Sequence, residues 1–310
     1  MKKVAPDPLV LVPGLQGHWK YMQPTVAALS QHFHVMTFSL GRAKSLDDDC
    51  EQVARTLDDH GVDRAVICGV SFGGLIALRF AATHPERTRA LVLASTPAPC
   101  LRLRRRHQIY TRLPWIFGPL FLAEAPLRLR HEMVAALPDW RARWLFRLNI
   151  LRVFPTAPIS FSQMAARARL ISSTDLTPDC SRIAAPSLIL TGELGLDHVV
   201  PVEGSSTYTR LIPNARAAVV ERTGHIGSIT RPDTFASIIH DFVDGTQAEP
   251  TVATNQRGEP SAFASREHEC ASEASEDGDG ASARKKASRG WRRGYPPPPR
   301  LRWVRRRSRE

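Results

Sequence analysis

The apolar run Ala65-Val66-Ile67-Cys68 leads directly into Gly69-Val70-Ser71-Phe72-Gly73, and from there into an Ala-rich helical stretch that continues to Thr83 and is stopped by Pro85. A strand that becomes a helix within so few residues must turn sharply, and here the turn carries a serine between two glycines. The glycines permit a strained strand-to-helix turn that pushes the Ser71 hydroxyl outward, while the helix aims the positive end of its dipole at the same spot. A serine presented this way reads as a nucleophile.

Related units recur along the chain. Leu9-Val10-Leu11-Val12, closed by Pro13-Gly14, reads as a buried strand entering a tight loop. Val35–Phe38, Ala90–Leu93, Ser187–Leu190 and Ala217–Val220 read as further strands, and helical patterns cover Gln23–Ser30, Leu46–His60 and Asp233–Val243. Ser45 is placed to cap the second of these helices, and Asp47, Asp48 and Asp49 suit its first turn. Strands alternating with helices at this spacing predict an α/β fold, a mostly parallel sheet with helices on both faces. The rhythm lapses after Thr96-Pro97-Ala98-Pro99, where Arg, Leu, Trp and Pro dominate without a clear strand. The expected organisation is a core over residues 1–97 and 176–245, interrupted by a helical cap insertion at 98–175 that covers an active site. Residues 246–310 lack apolar periodicity and are expected to form a disordered basic, Pro-rich tail.

The formal charge of +12 at first suggests nucleic acid, but its distribution argues against that. Residues 100–170 hold 13 basic and 3 acidic residues, and the tail holds 14 and 9, so the remainder is slightly acidic. No nucleic-acid partner is expected. The basic insertion leaves peripheral contact with a membrane surface open, because Trp115-Ile116-Phe117, Leu120-Phe121-Leu122 and Trp144-Leu145-Phe146 alternate with its arginines. Packing of the insertion onto the core accounts for most of the same residues. Five scattered cysteines without metal spacing fit a reducing cytoplasm, and no run approaches the length of a membrane span.

A serine hydroxyl is a poor nucleophile at neutral pH and needs a base, a group to orient that base, and donors for the oxyanion. Gly69-Val70-Ser71-Phe72-Gly73-Gly74, preceded by Pro13-Gly14-Leu15-Gln16-Gly17 and followed by Gly224-His225, resembles the α/β-hydrolase superfamily, and within it the capped esterase- and lactonase-like members. The resemblance spans about residues 8–243. It implies His225 as general base and an acid on the loop after the Ser187–Leu190 strand. That loop reads Gly192-Glu193-Leu194-Gly195-Leu196-Asp197-His198-Val199-Val200-Pro201 and carries two more residues than the family's usual spacing. The distance from Asp197 to Val200-Pro201 is kept, which favours Asp197 over Glu193. The resemblance also implies an oxyanion hole built from the backbone N–H groups of Leu15 and Phe72.

Gln16, His18, Trp115 and Phe117 are the candidates for the substrate pocket. The implied activity is hydrolysis of a small or medium carboxylic ester, or a lactone, through a Ser-His-Asp triad and an acyl-enzyme, with no metal or organic cofactor. A carbon–carbon bond hydrolase, thioesterase or aminopeptidase could use the same three residues. A non-catalytic binder on this fold, or a membrane-associated protein, is the alternative from a different class.

Overall fold

The strands of the computed structural model are β1 (Pro8–Val12), β2 (His34–Thr37), β3 (Ala65–Val70), β4 (Thr88–Ala94), β5 (Ser187–Thr191) and β6 (Ala215–Val219). They form one sheet in the order β2-β1-β3-β4-β5-β6, every pair parallel. The described residues are 6–42, 44–103 and 105–248; most of the expected tail lies outside them. The central strands read as unbroken apolar runs because both of their faces are covered. Val10, Val12, Ile67, Leu91, Leu93 and Ile189 face one layer, and Leu9, Leu11, Val66, Cys68, Val92, Leu188 and Leu190 face the other.

Helices supply the covering layers. On the first face lie α2 (Leu46–Asp59) and α3 (Phe72–Thr83), which bury Val53, Leu57, Leu75, Leu78 and Phe80. On the second lie α1 (Gln23–Leu29) and the last helix (Pro232–Ala248), which bury Leu29, Phe235, Ile239 and Val243. Each such side chain, fully withdrawn from water, contributes about 1.5–3 kcal/mol. Ser45 caps α2 as expected: its side chain accepts from the Asp48 amide while the Asp48 carboxylate accepts from the Ser45 amide.

Between β4 and β5 the described residues form helices joined by loops, with no strand: α4 (Arg105–Arg112), α5 (Pro114–Ala123), α6 (Ala125–Arg128), α7 (Arg130–Ala136), α8 (Trp140–Val153), α9 (Phe161–Ser173) and α10 (Thr177–Cys180). After β5 come α11 (Val202–Ser206) and α12 (Tyr208–Leu211), and after β6 come α13 (Gly227–Thr230) and the last helix, α14. Among the described residues no helix is long and apolar enough to cross a membrane.

Two buried charged side chains tie this insertion to loops at the carboxyl edge of the sheet. Arg167 of α9 donates to the Leu15 carbonyl at 3.0 Å, the Leu40 carbonyl at 2.9 Å and the Gly41 carbonyl at 3.2 Å. Asp49 of α2 is buried as well, and Arg167 partly offsets the burial that raises its pKa to about 6. From α7, fully buried Glu132 accepts the Ile226 N–H at 2.8 Å, while its second oxygen has no hydrogen-bond partner. Burial pushes the Glu132 carboxyl up to about 7, against the pull of the Gly224 and Ile226 amides and of His225; Asp197 adds to the rise.

A carboxyl whose folded-state pKa exceeds its unfolded value holds its proton more tightly when folded, so the contribution of Glu132 to stability is full below 4.5 and is lost as pH rises through about 7. Glu132→Gln keeps an acceptor for Ile226 and removes the charge. The variant is expected to unfold at a temperature several degrees above wild type at pH 8, equivalent to at most about 3 kcal/mol, and to lose that advantage near pH 5. Thermal melts across this range check it. An equal shift at both pH values would mean that ionisation of Glu132 is not responsible.

Candidate active site

β3 ends at Val70 and α3 begins at Phe72, so Ser71 alone makes the turn, at φ 55° and ψ −122°. Side-chain-bearing residues rarely adopt this region, and holding one there costs about 1–3 kcal/mol. Glycines make the turn tight enough. A Cβ at Gly69 would lie 2.2 Å from the Gly73 carbonyl oxygen, and one at Gly73 would lie 2.4 Å from that of Val12. The elbow is therefore locked between its own strand, its helix and the end of β1.

His225 follows β6, and its Nε2 lies 3.1 Å from Ser71 Oγ. Its Nδ1 lies 3.1 Å from Asp197 Oδ2. Asp197 is almost fully buried, with a side-chain exposure of 2 %, and its other oxygen accepts the Val199 and Val200 amides at 2.8 Å each. The carboxylate is thus fixed from three directions, and its free edge faces the imidazole.

The two extra residues before Asp197 are absorbed by a turn. The Leu196 N–H donates to the Glu193 carbonyl at 3.1 Å, and Gly195 takes φ 88°, the conformation that glycine supplies at the third position of a type II turn. Beyond this turn the acid loop crosses the histidine loop at close range: a Cβ at Gly224 would lie 2.4 Å from the Leu196 carbonyl oxygen. Glu193 points elsewhere. Its carboxylate accepts the Arg222 amide at 2.7 Å, bracing the turn in which Arg222 adopts φ 60°.

The loop after β1 runs beside the elbow. A Cβ at Gly14 would come within 3.4 Å of Ser71 Cβ and 3.2 Å of Gln16 Oε1, so Gln16 and Ser71 flank the same glycine. Gly17 closes the loop by donating to the Gly14 carbonyl at 2.9 Å. Phe72 is the first residue of α3, where an amide has no acceptor within the helix and is free to meet an anion. Leu15 is gripped through its carbonyl by Arg167, which orients the peptide plane on which its neighbours hang.

The remaining pocket candidates fare differently. His18 caps the turn Trp19–Met22, its Nδ1 accepting the Lys20 amide at 3.3 Å, and burial together with Lys20 lowers its pKa. Phe117 stacks on Tyr110 with ring centroids 4.9 Å apart. Trp115 is 73 % exposed, so its ring faces solvent instead of an enclosed pocket. Nothing in the sequence marks Glu132 or Arg167. Each is one charged residue among many in the insertion, and only the folded chain buries it on a loop of the site.

The sequence profile of the α/β hydrolase fold family matches residues 7–232. Among curated proteins the chain is similar to RutD of Serratia proteamaculans, by its name a candidate carbamate hydrolase, at 28 % identity over 78 % of this chain and 93 % of that protein. It is also 27 % identical to the pimeloyl-acyl-carrier-protein methyl ester esterase of Nitrosomonas europaea, over 75 % of this chain and 93 % of that one. Among solved structures the enol-lactonase of Burkholderia xenovorans LB400 shares the fold, with a TM-score of 0.64 at 23 % identity over 79 % of this chain and 94 % of that chain. With the profile covering most of its length, the chain belongs to the α/β hydrolase fold family and is an enzyme of that family.

Proposed function

We propose that this enzyme hydrolyses small or medium carboxylic esters or lactones through Ser71, His225 and Asp197. The observation that carries the reading is the relay in which one imidazole lies 3.1 Å from the serine hydroxyl and 3.1 Å from a buried carboxylate. Ser71 Oγ attacks the carbonyl carbon as His225 Nε2 takes its proton. Asp197 holds the imidazole by its Nδ1–H and stabilises the positive charge that develops on it. The Leu15 and Phe72 amides receive the oxyanion.

The tetrahedral species collapses as His225 returns the proton to the departing alkoxide oxygen, leaving an acyl ester on Ser71. Water, deprotonated by the same imidazole, then attacks this ester, and the carboxylic acid leaves as Ser71 regains its proton. Nucleophile, base and oxyanion donors all come from the chain itself. The names of the relatives fit this chemistry, since methyl ester and carbamate hydrolysis both proceed by attack on an acyl carbon.

The test is a panel of p-nitrophenyl esters of rising acyl length, lactones, aryl carbamates and acyl thioesters. Ser71→Ala is expected to abolish turnover of every substrate accepted. Asp197→Asn is expected to lower kcat by about 10²–10⁴ with little change in KM, whereas Glu193→Gln stays within a few-fold of wild type. Turnover that survives Ser71→Ala would overturn the mechanism. A larger loss from Glu193→Gln than from Asp197→Asn would move the acid to Glu193.

A further inference from the structure

α8 has a composition and a placement that the hydrolytic site does not explain. Its 14 residues, Trp-Arg-Ala-Arg-Trp-Leu-Phe-Arg-Leu-Asn-Ile-Leu-Arg-Val, include four arginines and no acidic residue, and none of the 14 is buried. The inner face is formed by the partly covered Ala142, Phe146, Ile150 and Val153. The outer face should then be polar, as on an ordinary surface helix. Instead it presents Trp140 at 65 %, Trp144 at 55 % and Leu151 at 66 % exposure.

At about 100° per residue these three side chains fall within an arc of about 40°. Arg147 borders the stripe on one side, and Arg141 and Arg152 border it on the other; all three are exposed. Arg143 is spent internally on the Leu137 and Pro138 carbonyls. Arg147 and Arg152 have no acidic partner among the described residues. The helix thus carries an apolar, tryptophan-bearing ridge with cations along both margins, and the exposed Leu145 lies beyond Arg152.

We propose that the outer face of α8 docks on an anionic phospholipid surface. The stripe suits an interface: tryptophan rings and leucines enter the boundary between headgroups and acyl chains, while the flanking guanidinium groups stay at phosphate level. Charge argues against a second copy of the chain as the occupant. A two-fold contact would crowd Arg141, Arg147 and Arg152 against the same arginines of the second copy, with the capping Asp139 as the single carboxylate at the helix to relieve them. A bilayer supplies negative charge along both margins. α8 packs on the turn Trp19–Met22, which follows the Leu15–Gly17 loop, so a docked bilayer would lie on the side of the elbow where that loop runs. The docking does not depend on the hydrolytic reading, because it rests on α8 alone.

Vesicle co-sedimentation of the full-length chain tests it, with vesicles of phosphatidylcholine alone and of phosphatidylcholine and phosphatidylglycerol in equal parts. Wild type is expected to bind only the anionic vesicles, and less tightly as salt rises. Trp140→Ser with Trp144→Ser, and separately Arg147→Gln with Arg152→Gln, should each weaken binding by about tenfold or more. Circular dichroism and melting temperature should match wild type for both pairs.

Because the chain ends in an Arg-rich segment, the α8 variants carry the decision. Binding by both pairs at wild-type strength would place any membrane contact elsewhere and overturn the proposal. So would equal binding to neutral and anionic vesicles, or none to either. A dimer in light scattering that Trp140→Ser with Trp144→Ser abolishes would assign the ridge to a second copy and overturn it too.

Discussion

The backbone of Ser71 is held at φ 55° and ψ −122°, where a residue with a side chain does not stay unless its surroundings hold it. Here the surroundings are one of the two central strands of a six-stranded parallel sheet, a helix that begins at the next residue, and the end of β1, against which Gly73 packs with no room for a Cβ. The sheet is the anvil for this turn. Apolar burial on both faces holds β3 and α3 in place, and the strain at one residue is small against that burial. Once the hydroxyl is raised above the sheet edge, the loops after β1, β5 and β6 have a fixed point to converge on.

Those loops are held partly by the insertion. Arg167 binds the Leu15 carbonyl from α9, and Glu132 binds the Ile226 amide from α7, so the loop beside the elbow and the histidine loop each carry a buried charged contact from the insertion. Neither contact is cheap: Arg167 Nε and Glu132 Oε2 are both buried without partners. The insertion is thus joined to the core at the two loops that flank Ser71, as well as through its apolar packing.

The strands and the elbow were legible because they depend on local pattern: a short apolar run, a glycine on each side of a serine, an Ala-rich helix ending before a proline. Asp197 and His225, the candidate acid and base, follow from the family's order of residues, and the candidate acid is the harder of the two to place. Its two-residue excess looked like a misfit in sequence, but it becomes a turn through Gly195 at φ 88°, while the Arg222 amide occupies Glu193. What the sequence hid was tertiary. Nothing local separates Glu132 or Arg167 from the solvated charges around them, and nothing local shows that Trp115 faces outward. Apolar residues in the insertion read as pocket lining or packing, whereas α8 presents two of its tryptophans to solvent between arginines.

The proposed mechanism requires that Ser71 be a nucleophile activated in place. Intact-protein and peptide mass spectrometry after brief exposure of the folded chain to a fluorophosphonate tests this directly. A single phosphonyl adduct on Ser71, absent in Ser71→Ala and strongly slowed in His225→Ala, is the expected result. No adduct on the folded protein, or an adduct on another residue at the same rate in both variants, would contradict it.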